Sequence, residues 1–192
     1  MFRLKKELLP SLLLGVACRK LVGGYKWRGL IVDRLRTYYL LINKNSPVKW
    51  NDLKKFSILK SDNSLSKMLG HLINDNYIVK PDKAYVITCE GREDYETLLR
   101  SLNCYVLSLL HKYLSEFPDC SELRELLQKC KNFDLRFYEH AIARFDDLDE
   151  LLMNKARAKS RKECMTLEKA LINICCSIDE ILDELVKELC GE

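Results

Sequence analysis

Residues 46–91 constrain this chain more than any other stretch, because four local signals follow one another there in a fixed order. Pro47-Val48-Lys49-Trp50 reads as a short extended piece, since proline excludes the helical region for the residue before it. Asn51 is placed to cap a short helix over 52–57, and Asp52 in its first turn suits the helix dipole. Ser61, Asp62 and Asn63 offer a second cap, followed by Leu65, Met68, Leu69, Leu72 and Ile73 at helical spacing. Asn74-Asp75-Asn76 stops that helix, with Asn76 suited to the left-handed conformation usually given to glycine. Tyr77-Ile78-Val79-Lys80 and Ala84-Tyr85-Val86-Ile87-Thr88 then read as two short strands about the turn Pro81-Asp82-Lys83.

Helix, turn, second helix and hairpin in that order is a helix-turn-helix with a two-stranded wing. The stretch resembles the winged-helix transcription regulators of the MarR, ArsR and PadR kind. The likeness lies in Ser64-Leu65-Ser66-Lys67, in Leu69-Gly70-His71-Leu72, in Asn76-Tyr77-Ile78-Val79-Lys80 and in Ile87-Thr88-Cys89-Glu90-Gly91-Arg92. The last run is similar to the threonine-x-x-glycine-arginine ending of the family's wing. The resemblance covers residues 27–100 and departs from the family at Asn76, where glycine is usual, and in the shortness of the wing. It implies a DNA-binding transcription regulator. Winged helices also serve as protein-binding modules in larger assemblies, and that reading stays open.

Charge adds to the DNA reading. Residues 1–60 carry fourteen cations against three acids, a net of +11, and since the whole chain is +4 the rest carries −7. A basic front and an acidic back suit a protein that presents one face to a polyanion. On the second helix the outward residues are Asn63, Ser64, Ser66, Lys67, Gly70, His71 and Asn74, with Ser64, Lys67 and His71 along one stripe. Small polar groups with a cation are what a helix needs to hydrogen-bond base edges in the major groove of duplex DNA. Lys54, Lys55 and Lys60 before that helix, and Lys80 and Lys83 on the wing, are placed to hold phosphates.

The remainder reads as helix. Residues 10–21 form a packing helix ended by Gly23-Gly24 rather than a signal peptide: Pro10 and Ser11 break the apolar run, and it is too short to span a bilayer. Residues 27–43 form the first helix of the winged domain, with Leu30, Ile31, Leu35, Tyr38, Tyr39 and Ile42 inward and Arg28, Arg34 and Arg36 outward. Thr88 caps a long helix that ends at Phe117-Pro118, and Ser121-Glu122 opens another to about Lys131. Asn132 or Asp134 caps a helix with Leu135, Tyr138, Ile142, Phe145, Leu148 and Leu152 at three-four spacing. A last helix keeps that spacing over Cys164, Leu167, Leu171, Ile174, Ile178, Ile181 and Leu185. Its seam needs a partner helix, either the preceding helix folded back or the same helix in a second chain, making a homodimer. Between the two, residues 155–162 carry five cations, read as a solvated tip, and Ser160 with Glu163 offers a capping box that restarts the helix.

The expected architecture is therefore mostly α: an N-terminal helix over 1–26, a winged helix-turn-helix domain over 27–100 and a C-terminal helical region over 101–192. No catalytic constellation, phosphate-binding glycine loop, metal site or cofactor motif is expected, and the protein is expected to be cytoplasmic and free of the membrane. Nine cysteines include no C-x-x-C pair, and His71, His111 and His140 do not sit at zinc-finger spacing from them. Several of those cysteines fall on apolar helix faces, and their disulfide state stays open. The single glutamine, Gln128, hints at a thermophilic source, where intracellular disulfides occur.

Overall fold

The computed structural model describes residues 6–24, 26–59 and 61–191. In chain order the helices are α1 (Leu9–Val22), α2 (Asp33–Asn43), α3 (Trp50–Phe56), α4 (Asp62–Asn74), α5 (Cys89–Glu116), α6 (Ser121–Lys131), α7 (Leu135–Ala143), α8 (Phe145–Glu163), α9 (Leu167–Cys176) and α10 (Ile178–Cys190). The strands are β1 (Val48–Lys49), β2 (Ile78–Val79) and β3 (Ala84–Ile87). The protein is thus mostly helical with one small sheet. It divides into two compact units, Lys26–Ser101, and Met1–Tyr25 with Leu102–Glu192. Among the described residues no helix is long and apolar enough to cross a membrane.

In the Lys26–Ser101 unit the sheet has three antiparallel strands in the order β1-β3-β2, one more than the two-stranded wing expected. The extended piece after Pro47 is the addition: Val48 pairs with Tyr85 and Lys49 with Ala84, while Ile78 pairs with Ile87 and Val79 with Val86. The alternation of strands puts Val48, Tyr85, Ile78 and Ile87 inward, against Leu53, Leu65, Leu69 and Leu72 in the core. The cap of α3 is not Asn51. The helix begins two residues earlier, at Trp50 with Lys49 as its cap, and the Asp52 carboxylate accepts the Lys49 N–H at 2.9 Å. The Lys44 ammonium 2.9 Å away and that N–H hold the Asp52 carboxyl below its usual range.

Of the arginines expected outside, Arg36 is buried and Arg34 is half-buried. Arg36 is 1% exposed, with its guanidinium 4.0 Å over the Phe56 ring and its Nε donating to the Phe56 carbonyl. Arg34 donates to Asp94 through Nε at 3.0 Å, and the same carboxylate accepts the Tyr38 hydroxyl at 2.7 Å. Both serve to bind α2 to its neighbours, because a guanidinium can satisfy several acceptors while stacking on an aromatic face.

The other unit is built on α1, whose Leu12, Leu13, Leu14, Val16 and Ala17 are fully buried. A helix apolar on every side needs neighbours on every side. α7 and α10 pack on it, the Ser11 hydroxyl donates to the Ala141 carbonyl at 2.8 Å, and Arg19 pairs with Asp179. Gly23 takes φ 73° and donates its N–H to the Arg19 carbonyl, ending α1.

The two long C-terminal helices expected from periodicity are each broken. Arg144 separates α7 from α8, and Ser177 separates α9 from α10, without glycine or proline at either break. Asp134 does cap α7, accepting the Arg136 N–H at 3.0 Å. Residues 155–162 continue α8 as helix. No helix restarts at Ser160, whose hydroxyl donates to the Met165 carbonyl; the chain turns at Cys164, φ 50°, and α9 is capped by Thr166. The seam residues Ile178, Ile181 and Leu185 are enclosed within this single chain. One disulfide, Cys120–Cys190, ties the start of α6 to the end of α10.

Candidate nucleic-acid interface

The turn between α3 and α4 is held by α2. Asp33 is buried, and its two carboxylate oxygens accept the Ile58 and Leu59 N–H groups at 2.7 and 2.9 Å. Burial pushes its pKa up, against those two N–H groups, the Ser57 hydroxyl and the Arg36 charge. One and two turns further along α2, Arg36 takes the Phe56 carbonyl and Tyr39 stacks on the Phe56 ring at 5.8 Å. Gly29 makes room for Leu59, which would lie 3.0 Å from a Cβ there. Residues 56–59 of the turn are therefore held from several sides by α2 and the residues just before it.

Helix α4 shows its polar face to solvent. Leu65, Leu69 and Leu72 are buried, and Asn63, Ser64, Ser66, Lys67, His71 and Asn74 are exposed, with Gly70 half-buried. Ser64, Lys67 and His71 lie on one stripe, as their spacing requires. Gly70 packs against nothing: a Cβ there would meet no atom within 4 Å. A mid-helix glycine costs roughly 0.5–1 kcal/mol relative to alanine, and no contact within the chain demands it.

At the far end of α4 the exit is tightly specified. Asn76 is left-handed, φ 58°. Tyr77 N–H donates to the Leu72 carbonyl and Asn76 N–H to the Ile73 carbonyl, the paired bonds of a Schellman ending. Thr88 then joins this ending to α5. Its hydroxyl donates to the Asn76 carbonyl at 2.7 Å and accepts the Gly91 N–H at 3.0 Å, while its own N–H donates to the Tyr77 carbonyl. A Cβ at Gly91 would stand 2.0 Å from the Tyr77 oxygen. The Thr88-x-x-Gly91 run is thus a structural joint: the threonine caps α5 and the glycine lets β2 begin against it.

The lysines are more constrained than the sequence implies. Lys54 pairs with Asp62 at 2.7 Å, and Lys55 is exposed. Lys60 lies outside the described residues. Lys80 sits 5.1 Å from the centre of the Tyr85 ring, and Lys83 is exposed with φ 76°. Within 26–101, Arg36 is buried, Arg34 is half-buried on Asp94 and Lys44 is paired with Asp52, so these three cations are engaged inside the unit. Two exposed valines face outward on the hairpin as a cross-strand pair, Val79 at 40% and Val86 at 46%.

The buried clamp at Asp33 carried no periodic signal, because a lone aspartate at a helix start reads as a dipole partner. Among the described residues no group of histidines, cysteines or carboxylates is arranged to hold a metal ion. Comparison with family models, with characterised proteins and with solved structures finds no match to this chain.

Proposed function

We propose that residues 26–101 form a winged helix-turn-helix that reads duplex DNA with α4, and that the protein is a non-catalytic transcription regulator. α4 is the reading helix, offering Asn63, Ser64, Ser66, Lys67, His71 and Asn74 to base edges and phosphates. Lys55, Lys80 and Lys83 are the phosphate contacts, and Lys54 joins them only by exchanging Asp62 for a phosphate. The observation that carries the reading is the glycine at position 70. An exposed recognition face keeps a residue that weakens its own helix, with open space beyond it. Lys83 is a parallel case, an L-residue held left-handed at the hairpin turn, where glycine would be the relaxed choice. Positions that depart from local preference mark functional surfaces.

The test pairs stability with binding. Gly70→Ala raises stability by roughly 0.5–1 kcal/mol in urea unfolding and weakens duplex binding in a fluorescence assay. A variant that is more stable and binds unchanged removes Gly70 from the interface. In the same assay log K falls against log salt with a slope of about −0.9 per phosphate contact, and Lys55→Ala flattens it by about one contact. Lys67→Ala and His71→Ala blur sequence preference while leaving non-specific binding nearly intact.

A second reading is favoured by the Val79–Val86 pair, which offers apolar area to a protein partner rather than to phosphate. In that case no duplex binds with a salt-dependent slope, and Val86→Ser alters a protein assembly instead. Of the seam, Ile178, Ile181 and Leu185 are buried within one chain, whereas Leu167 is 39% exposed and Leu171 and Ile174 are half-buried, so a homodimer through the C-terminal helices would have to use that first half.

A further inference from the structure

We infer that Cys120–Cys190 is a thiol–disulfide exchange site, open to small neutral or cationic thiols and entered at Cys190. Cys18, Cys89, Cys104, Cys130, Cys164 and Cys176 stand as thiols. The bridge joins residues 70 apart, with Cα atoms 5.3 Å from one another. Its two sulfurs stand in different surroundings. Cys120 is nearly buried at the N-cap of α6, and Cys190 is half-buried at the last residue of α10.

An open depression of about 380 Å³ lies over the pair, with Phe117, Pro118 and Leu189 as its apolar wall. Glu116, Asp119 and Glu122 also line it, with Lys6 paired to Glu122 at 2.5 Å and Arg124 to Asp119 at 3.3 Å. Lys6 and the Ser121 hydroxyl hold the Glu122 carboxyl down to about 2, so it stays charged across the neutral range. Three carboxylates against the two paired cations leave the mouth net negative by one charge, which disfavours an anionic thiol and favours an aminothiol.

The exchange balances as two displacements. A thiolate attacks Cys190 Sγ, the Sγ–Sγ bond breaks, and the electron pair leaves on Cys120 Sγ, giving a mixed disulfide at Cys190. Cys190 is the sulfur attacked because it is the more exposed of the two, and Cys120 leaves at the N-cap of α6, where the helix dipole favours a thiolate against the Glu122 carboxylate 3.9 Å from its sulfur. A second thiolate attacks the outer sulfur of the mixed disulfide, releasing the oxidised small disulfide and the Cys190 thiolate. Both protein thiolates take up a proton, so two small thiols are oxidised and one protein disulfide is reduced.

The structural outcome is local. Beyond Val186 the last turn of α10 keeps half-buried Leu189 and the bond from Gly191 N–H to the Lys187 carbonyl. Ile178, Ile181, Leu182, Leu185 and Val186, the turns of α10 before it, are buried by their own packing. Reduction therefore loosens the end of α10 and the start of α6 and leaves the rest folded.

The experiment exposes the native protein to cysteamine or to reduced glutathione at equal thiolate concentration, quenches with acid and maps the peptides by mass. The expected result is a mixed disulfide on Cys190 with Cys120 as free thiol, formed several-fold faster by cysteamine, the gap narrowing as salt is added. The reduced protein keeps its helical circular dichroism and exchanges the amide hydrogens of residues 187–191 faster. Cys120→Ser leaves Cys190 as a thiol that captures cystamine in the folded state. The proposal is overturned if the bridge resists thiols that reduce it in urea, if adducts form on Cys120, if the reduced chain loses its helices, or if folded Cys120→Ser protein ignores cystamine.

Discussion

At the scale of single residues, Gly91 and Asn76 show two different reasons for a position to be demanding. Gly91 is needed for space, since the Tyr77 carbonyl occupies the place of a side chain. Gly91→Ala should cost about 3 kcal/mol, the upper part of the range for forcing atoms into a packed site, measured as a lower urea midpoint. A loss under half that would mean that β2 shifts aside easily. Asn76 is instead needed for its backbone conformation, and asparagine accepts φ 58° more readily than most residues. Both were legible in the sequence as a type of residue at a type of place. Arg34 and Arg36 were not, because a helical pattern assigns every arginine to solvent. Burying one depends on acceptors far away in the chain, Asp94 and the Phe56 carbonyl. Most of the polar face of α4 was legible, since a regular helix fixes which residues share a side, though Gly70 is half-buried and Ile73, expected inward, is 38% exposed.

Elements carry the second kind of information, the fixing of one helix by another. Asp33 ties α2 to the turn before α4, and Asp33→Ala leaves two buried N–H groups without acceptors. That should cost roughly 3 kcal/mol in unfolding of the 26–101 unit. The pH dependence follows from the raised pKa of Asp33. The folded unit holds this proton more tightly than the unfolded chain, so the stability it contributes is complete below the unfolded value of 3.8. It is lost as pH rises through the raised folded value. Urea midpoints of the wild type should therefore fall over that interval, and Asp33→Asn should remove this component of the slope; an identical slope in both proteins would assign it to another group. The sequence showed most elements but not all their joins. β1 is two residues long, too short for an alternation to register. The breaks at Arg144 and Ser177 have φ near −96° and −98°, conformations open to any residue, so nothing in their composition announces them.

For the molecule as a whole, periodicity located the apolar seam of the last helices and could not say what fills it. Ile178, Ile181 and Leu185 lie inside the unit that contains α1, where Ile178 is fully buried. Ile178→Asp should therefore destabilise that unit by about 4 kcal/mol, the scale of an unpaired charge in a core, at a urea midpoint independent of protein concentration. A folded variant of half the wild-type mass would restore the seam to an interface between chains. The bridge from Cys120 to Cys190 has a further consequence for how the protein is cut. Everything between those residues lies in a covalent ring, and the exposed Arg157, Arg161 and Lys162 sit inside it near the turn at Cys164. A single tryptic nick there opens the ring without releasing a fragment. The nicked protein should run as one band without reductant and as two with it, and a lost fragment under non-reducing conditions would show that the ring was never closed.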